Sequence, residues 1–349
     1  MSSLELSPKI FVGRDEELAL FKRMLDSPND PKWILSLVGA GGQGKTQLLN
    51  KFAEIAQARC AEGQDVLVTT KPIDFYWTAR QRELGVLDSL ATQLESKEEF
   101  SAFRAQLREY RDLLIEEKDP EQLRYSALEA CALFLDGYRK LSEGRRVVLL
   151  FDTAELAGNA LDHFWQQVLP ELRPNTLVII AGRQAVSALP KGQAIQLELK
   201  GFSPEEIATY FEKQGIDTSN DIISQIAELS EGRPILVALV VDWVRDGHPL
   251  SELLAYAQPE FESAMVERVQ QLRFPEDQAI LAMAHLYRRF NEKILTQVLD
   301  LSMEDATHLI SSLSRFTFVK YRPAIGEDPG SCLLHDEMRN LVNMSVFGL

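Results

Sequence analysis

Residues 39–46 read GAGGQGKT and match the pattern G-x-x-x-x-G-K-S/T. Glycines let such a loop fold tightly, so that its backbone N–H groups point at phosphate oxygens. Lys45 supplies a positive charge to the terminal phosphates, and the Thr46 hydroxyl is a ligand for magnesium. An apolar stretch at 33–38 precedes the loop and an amphipathic helical pattern follows it. We interpret the segment as a phosphate-binding loop rather than a structural glycine turn; its predicted nucleotide-binding residues are Gly39, Gly41, Gly42, Gln43, Gly44, Lys45, Thr46 and Gln47.

Several other apolar runs share the character of the stretch before this loop. The runs VVLLF and LVII lack polar alternation, as expected of strands buried on both faces. They alternate with amphipathic helical patterns, which is typical of a parallel α/β sheet. The predicted strands cover residues 33–38, 66–70 or 73–77, 147–151, 177–181 and 195–199.

A long charged stretch, residues 84–138, separates the second and third predicted strands. Its centre, ESKEEFSAFRAQLREYRDLLIEEKDPEQ, predicts an exposed helical hairpin. We favour a solvated insertion at the sheet edge over a partner-binding surface, because a run of charges is most often a solvated face.

Three polar residues follow the later strands. The run VVLLFD ends at Asp152, about a hundred residues after the phosphate loop, where a carboxylate can hold the magnesium shell. Glu155 either orients a water for attack on the terminal phosphate or caps the following helix. Arg183 ends the run LVIIAGR and either reads the terminal phosphate or forms a surface salt bridge. The predicted catalytic residues are Lys45, Asp152, Glu155 and Arg183, and the predicted metal ligands are Thr46 and Asp152.

The pattern changes after residue 199. The sequence Ser203-Pro204-Glu205-Glu206 is a helix start, with a Ser N-cap, Pro at the first helical position and Glu three residues after the cap. Only helices are predicted from there to about residue 257. Three helices (275–289, 292–299, 302–313), a strand (316–321), a turn-rich wing (322–331), a second strand (332–334) and a last helix then give the pattern of a winged helix.

The predicted architecture has three parts. An α/β P-loop NTPase domain, with a parallel sheet flanked by helices, covers residues 1–202. A small all-α helical lid domain covers residues 203–258, and a winged-helix domain covers residues 259–349.

At this point the sequence resembles a known family. In the same order, FVGRDEELALFKRML, the phosphate loop, VVLLFDTAE, IIAGR and EGRPILVAL resemble the motifs of STAND NTPases (signal transduction ATPases with numerous domains). These are AAA+-like, NB-ARC-related nucleotide-binding oligomerisation modules. The resemblance extends over about residues 9–345.

The resemblance implies further nucleotide-binding residues. Val12, Gly13 and Arg14 match positions that lie along the base and ribose. Pro234 matches the proline of the G-x-P motif, which closes the helical lid over the adenine. His335, in LLHD, matches the histidine of the M-H-D motif, with Leu in place of Met; in the family this histidine binds the β-phosphate of ADP and locks the closed state.

The function implied by the resemblance is that of a nucleotide-dependent signalling switch. Its ligands would be ATP or ADP with Mg²⁺. With ADP the protein would be closed, autoinhibited and inactive, and with ATP it would be open and self-associating. Slow hydrolysis of ATP to ADP and phosphate would reset it. The family normally carries sensor and effector domains, which this sequence lacks. We therefore expect a switch module of a longer protein, or a minimal form that works with partner proteins.

The alternative is a DNA-binding initiator or loader ATPase of the AAA+ type, which joins the same three domains. Charge argues against it. The chain has 37 Lys and Arg against 52 Asp and Glu, a net charge of −15, and such a surface repels phosphate backbones and anionic lipid. From residue 261 to the end, the sequence has nine Lys and Arg and twelve Asp and Glu, a net charge of −3. Nucleic-acid binding through this region is not expected. A third class of protein, a small-molecule kinase, fits the predicted helical lid and wing poorly.

The cysteines and the termini point to the cytoplasm. Cys60, Cys131 and Cys332 are too widely separated for a disulfide framework or a paired zinc site. The amino terminus lacks a signal-peptide pattern, and the most apolar stretch, 234–244, is too short to span a bilayer. We expect a cytoplasmic protein with no membrane partner.

Overall fold

The computed structural model describes residues 10–61, 66–68, 71–94, 98–245, 247–255, 260–261, 264, 272, 274–286, 289–322 and 330–343. These residues divide into two compact units. Residues 14–40 and 45–199 form the first, which we call the sheet unit. Residues 10–13, 41–44 and the described residues from 200 onward form the second, the helical unit.

The sheet unit alternates helices and strands, as the apolar runs predict. Short 3₁₀ and π turns occupy parts of residues 78–81 and 154–172. Its longer elements are α1 (Asp15–Leu25), β1 (Ile34–Val38), α2 (Lys45–Ala61), β2 (Val66–Val68), β3 (Ile73–Asp74), α3 (Glu83–Gln93), α4 (Ser101–Ile115), α5 (Pro120–Ser142), β4 (Arg146–Asp152), β5 (Thr176–Gly182) and β6 (Ala194–Glu198).

The strands form one parallel sheet in the order β2-β4-β5-β1-β6. Both alternatives for the second strand form, because β2 pairs with the beginning of β4 and β3 pairs with its end. Residues 69–70 of the first alternative lie outside the described residues. Every residue of β5 is buried, in agreement with an unalternating apolar run between two strands.

The charged stretch after β3 folds into α3 and a hairpin of α4 and α5. Gly137 of α5 lets the turn before α4 approach closely, since a Cβ there would lie 2.3 Å from the carbonyl oxygen of Glu99. The inner face is aromatic: the Phe134 ring centroid lies 5.2 Å from that of Phe100 and 5.3 Å from that of Phe103. The prediction of an exposed hairpin is therefore wrong for this face, which belongs to the core of the sheet unit.

The helical unit begins with a reciprocal cap. Ser203 Oγ accepts a hydrogen bond from the Glu206 N–H at 3.2 Å, and Glu206 Oε2 accepts one from the Ser203 N–H at 2.7 Å. The predicted helix start is thus confirmed. The lid helices are α6 (Pro204–Lys213), α7 (Asn220–Ser230), α8 (Pro234–Arg245) and α9 (Leu250–Leu253).

A winged helix follows the lid. It contains α10 (Glu276–Leu286), α11 (Glu292–Leu299), α12 (Met303–Leu313), β7 (Val319–Arg322), β8 (Ser331–Leu334) and α13 (Asp336–Val342). β7 and β8 are antiparallel, with Val319 opposite Leu334. The predicted strand at 316 begins three residues late, because Phe316 and Phe318 stack in a turn with ring centroids 5.0 Å apart. Residues 256–259, 287–288 and 323–329, which include the predicted 258/259 boundary and most of the wing, lie outside the described residues.

The lid and the winged helix share one hydrophobic core. It extends from Ile207 on α6 through most of α8 to Val342 on α13. Asp242 of α8 is 6% exposed and accepts hydrogen bonds from the Thr317 N–H at 3.2 Å and the Thr317 hydroxyl at 2.7 Å, just before β7. In the part of the chain that the structure describes, no helix combines the length and hydropathy required to cross a membrane.

Candidate nucleotide-binding site

The phosphate loop connects β1 to α2, which begins at Lys45. Gly42 and Gly44 have φ values of +79° and +82°, a region that glycine adopts with little strain. The Lys45 ammonium donates hydrogen bonds to the carbonyl oxygens of Gly39 at 2.6 Å and Ala40 at 2.8 Å. The lysine is thus held against its own loop at the start of a helix, where an anion is favoured.

Hydrogen bonds also hold each part of the loop within its own unit. The Gly39 N–H donates to the Gly182 carbonyl at 3.3 Å in the sheet unit. Within the helical unit, the Ile235 N–H donates to the Gly42 carbonyl at 3.3 Å. Pro234 is the first residue of α8, so its missing N–H costs the helix nothing there.

A hydroxyl and a carboxylate meet beside the loop. Asp152, the last residue of β4, is 6% exposed, and its Oδ2 accepts a hydrogen bond from Thr46 Oγ1 at 2.7 Å. Its Oδ1 accepts from the Thr153 N–H at 2.9 Å. Hydroxyl and carboxylate oxygens are the ligands that Mg²⁺ prefers, so these residues fit the ion that the sequence predicts there.

A second carboxylate, not among the predicted site residues, lies at this edge. Asp74, on β3, lies opposite Asp152 in the sheet register, and its Oδ1 accepts a hydrogen bond from the Thr153 hydroxyl at 3.2 Å. Thr153 itself has φ +59°, an uncommon conformation for a threonine. The signal for Asp74 is present in the sequence, since it follows Ile73 in the short run at 73–77, but the sequence predicts that run only as one of two alternatives for the second strand.

Glu155 and Arg183 lie together. Glu155 Oε2 accepts a hydrogen bond from the Arg183 N–H at 3.0 Å, and Oε1 is 3.6 Å from Arg183 Nε. The carboxylate therefore joins the segment after β4 to the end of β5. The salt bridge considered for Arg183 is present, and the roles of both residues in hydrolysis stay predictions.

Two predicted base-binding residues, Val12 and Gly13, lie in the helical unit. Val12 is 6% exposed in that unit's core. Gly13 has φ +66°, and a Cβ there would overlap Glu206 Oε1 at 1.8 Å, so only glycine fits against the α6 cap. In the sheet unit, Arg14 is 7% exposed, has φ +70° and donates to Glu17 Oε1 at 3.3 Å.

His335 lies between β8 and α13. Its N–H donates to the Phe318 carbonyl at 2.8 Å, and its carbonyl accepts from the Arg339 N–H at 2.9 Å. The backbone of His335 thus closes the small sheet and starts the last helix. Binding of its imidazole to a nucleotide stays a prediction, as do the nucleotide contacts of Val12, Gly13, Arg14, Gln43, Gln47 and Pro234.

The parallel sheet, the phosphate loop after β1 and the acidic end of β4 define a P-loop NTPase. Residues 10–180 match the model of the AAA ATPase domain family. This match supports nucleotide binding. No curated protein matches the sequence.

A solved structure supports this fold. A STAND protein with a tetratricopeptide repeat sensor from Pyrococcus horikoshii is 17% identical, with a TM-score of 0.54 over 97% of this chain and 44% of that one. The chain therefore spans less than half of that protein. The Walker-type ATPase of Pyrococcus abyssi (14% identity, TM-score 0.43, 97% of each chain) and the Aeropyrum pernix ORC1 protein in complex with DNA (14%, 0.47, 98% and 94%) are more distant in shape. At these identities the likeness to the STAND structure supports the fold alone.

Proposed function

We propose that the chain is a nucleotide-dependent signalling switch, inactive with ADP and self-associating with ATP. The observation that supports it most is the pair formed by Thr46 Oγ1 and Asp152 Oδ2, 2.7 Å apart beside Lys45. Bound Mg²⁺ would neutralise phosphate charge, and Thr46 and Asp152 are the residues that would hold it. Lys45 would leave the carbonyl groups of its own loop to bind the terminal phosphates.

In this proposal hydrolysis is slow and resets the switch. Arg183 binds the terminal phosphate and Glu155 orients a water, which requires their mutual ion pair to open. An exposed pair of this kind is weak, since Arg183 is 43% exposed, so a phosphate can compete for the guanidinium. ADP retention is assigned to His335, whose position after β8 matches the histidine of the M-H-D motif.

The charge of the winged helix favours a switch over a DNA-binding loader. A DNA reader needs cations on the helix that enters the groove. Helix α12 has none, and Glu304 and Asp305 in its first turn are exposed. The next cation, Arg315, is already paired with both carboxylate oxygens of Glu276 at 3.2 Å. Tight, salt-dependent binding of duplex DNA in a gel-shift assay would reverse this preference.

The nucleotide that accompanies the purified protein tests the proposal. The protein is dialysed extensively, denatured, and its supernatant separated by chromatography. The switch predicts close to one ADP per chain in the wild type. Purification without nucleotide, together with failure to bind added ADP, would contradict it.

A further inference from the structure

Helix α5 exposes an apolar stripe that the nucleotide site does not use. Tyr125 is 74% exposed and Leu128 is 50% exposed, Ala132 is exposed, and Leu135 is partly buried. Their spacing of three, four and three residues places them on one side of the helix, as in the seam of a two-helix coiled coil. The opposite side of α5 packs in the core of the sheet unit, and Leu135 of the stripe packs partly against the same core.

Charged residues continue this stripe at both ends. Glu121 lies one heptad before Leu128, and Arg139 lies one heptad after Ala132; both are exposed. We call these six residues the α5 seam: Glu121, Tyr125, Leu128, Ala132, Leu135 and Arg139. The seam is acidic at its amino end, apolar in the middle and basic at its carboxyl end, and it covers about 27 Å at 1.5 Å per residue.

We propose that the α5 seam binds the α5 seam of a second copy of this chain in antiparallel orientation. A two-fold axis between Leu128 and Ala132 pairs each seam residue with a complementary one. Glu121 meets the second copy's Arg139, Tyr125 meets Leu135, and Leu128 meets Ala132, and each pair occurs twice. Antiparallel helices also bring opposite ends of their dipoles together.

A parallel arrangement is disfavoured by the same residues. It would place Glu121 against Glu121 and Arg139 against Arg139, and like charges in contact repel. In the chain itself Arg139 binds Glu171 at 2.9 Å, but both side chains are more than half exposed. A pair so exposed contributes little and can be exchanged for the intermolecular one.

One feature of the antiparallel register opposes the dimer. Glu129 flanks the seam near its centre, so its two copies approach each other at the solvent edge. The register therefore predicts that Glu129→Gln tightens the dimer. The seam lies wholly within the sheet unit and requires no nucleotide, so this proposal is independent of the proposed switch.

Sedimentation equilibrium of the full chain, over a concentration series with and without ADP, tests the dimer. We expect the same reversible dimer in both conditions, as an association separate from the ATP-dependent one proposed above. Leu128→Glu should raise the dissociation constant roughly tenfold or more, because it places two carboxylates in the central layers. Arg108→Glu, a charge change at an exposed position of the neighbouring helix α4, is the matched control and should leave the dimer unchanged.

Charge exchange tests the orientation. Glu121→Arg and Arg139→Glu should each weaken the dimer about tenfold, and the double variant should restore it, because the end layers become Arg–Glu pairs again. Thermal melting of each variant checks that the chain is folded. A monomeric wild type at every concentration, a dimer insensitive to Leu128→Glu, or a folded double variant without recovery would overturn the proposal.

Discussion

At the scale of single residues, the side chains expected to bind phosphate and metal are already hydrogen-bonded within the protein. Lys45 bonds to two carbonyl oxygens of its own loop, and Asp152 accepts the Thr46 hydroxyl. These bonds hold the Lys45 ammonium and the Thr46 hydroxyl at the start of α2 and the Asp152 carboxylate at the end of β4. Single substitutions can therefore separate phosphate binding from metal binding.

Lys45→Ala is expected to weaken nucleotide binding strongly while leaving the protein folded. A charge-assisted hydrogen bond is worth roughly 1.5–3 kcal/mol, which corresponds to a loss of about 10- to 150-fold in affinity. Titration of a fluorescent ADP analogue measures the change. Lys51→Ala, on the same helix but paired with Glu54 on the surface, is the control and should bind normally. Normal binding by Lys45→Ala would refute the role of the lysine.

Asp152→Asn keeps a hydrogen-bond acceptor for Thr46 but removes the charge that a metal ion requires. We expect affinity for ATP in the presence of Mg²⁺ to fall about tenfold or more, and affinity for ADP without Mg²⁺ to change little. Calorimetric titrations in Mg²⁺ and in chelator make the comparison. Equal losses in the two conditions would show that Asp152 is structural.

At the scale of elements, helix α6 begins with a cap that the sequence of residues 203–206 predicts. Ser203→Ala removes the acceptor for the Glu206 N–H, and such a loss costs about 1 kcal/mol of stability. The helical unit should unfold about 2–4 °C lower in calorimetry. Ser224→Ala, which removes an exposed hydroxyl within α7, is the matched control. Equal melting temperatures for the two variants would contradict the cap's contribution.

Helices and strands that a local sequence pattern determines could be predicted from the sequence. The unalternating runs before Asp152 and Arg183 became buried parallel strands, and the Ser203 start became a capping box. Features that depend on contacts between segments distant in the sequence could not be predicted in this way. Two residues of β3 form a strand only because the end of β4 is available beside β2, and Phe134 of α5 is buried only because Phe100 and Phe103 fold back on it.

The candidate site divides in the same way. The phosphate loop and Asp152 follow from their motifs, because those patterns encode the chemistry directly. Asp74 and the contact between Glu155 and Arg183 depend on sheet order, which places the ends of β3, β4 and β5 side by side. Sequence spacing alone does not contain that order.

At the scale of the whole molecule, the three thiols report whether both cores are formed. Cys60 is exposed, whereas Cys131 and Cys332 are buried in the sheet unit and the helical unit. Burial raises the pKa of Cys131 to about 11 and that of Cys332 to about 12, so neither is a thiolate near neutral pH. We expect a thiol reagent at pH 8 to modify one cysteine rapidly in the native protein and three in denaturant. Rapid modification of three native thiols would contradict the fold.

The shared core of the lid and the winged helix bears on how a switch would move. Asp242 of α8 is bound to Thr317 before β7, and the apolar residues of both parts form one cluster. Separation of the winged helix from the lid would expose this core. We therefore expect the lid and the winged helix to move together when nucleotide is exchanged.

The most direct test of the switch is the rate at which ADP leaves His335→Ala. In the proposed switch, the imidazole binds the β-phosphate only in the closed state. Loss of roughly 1.5–3 kcal/mol there would speed release about 10- to 150-fold while the melting temperature of the nucleotide-free protein barely changes. Stopped-flow displacement of a fluorescent ADP analogue gives the rate, with His308→Ala, an exposed histidine of α12, as the control. Faster release confined to His335→Ala is the predicted result, and an unchanged release rate with a lowered nucleotide-free melting temperature would contradict the proposed switch.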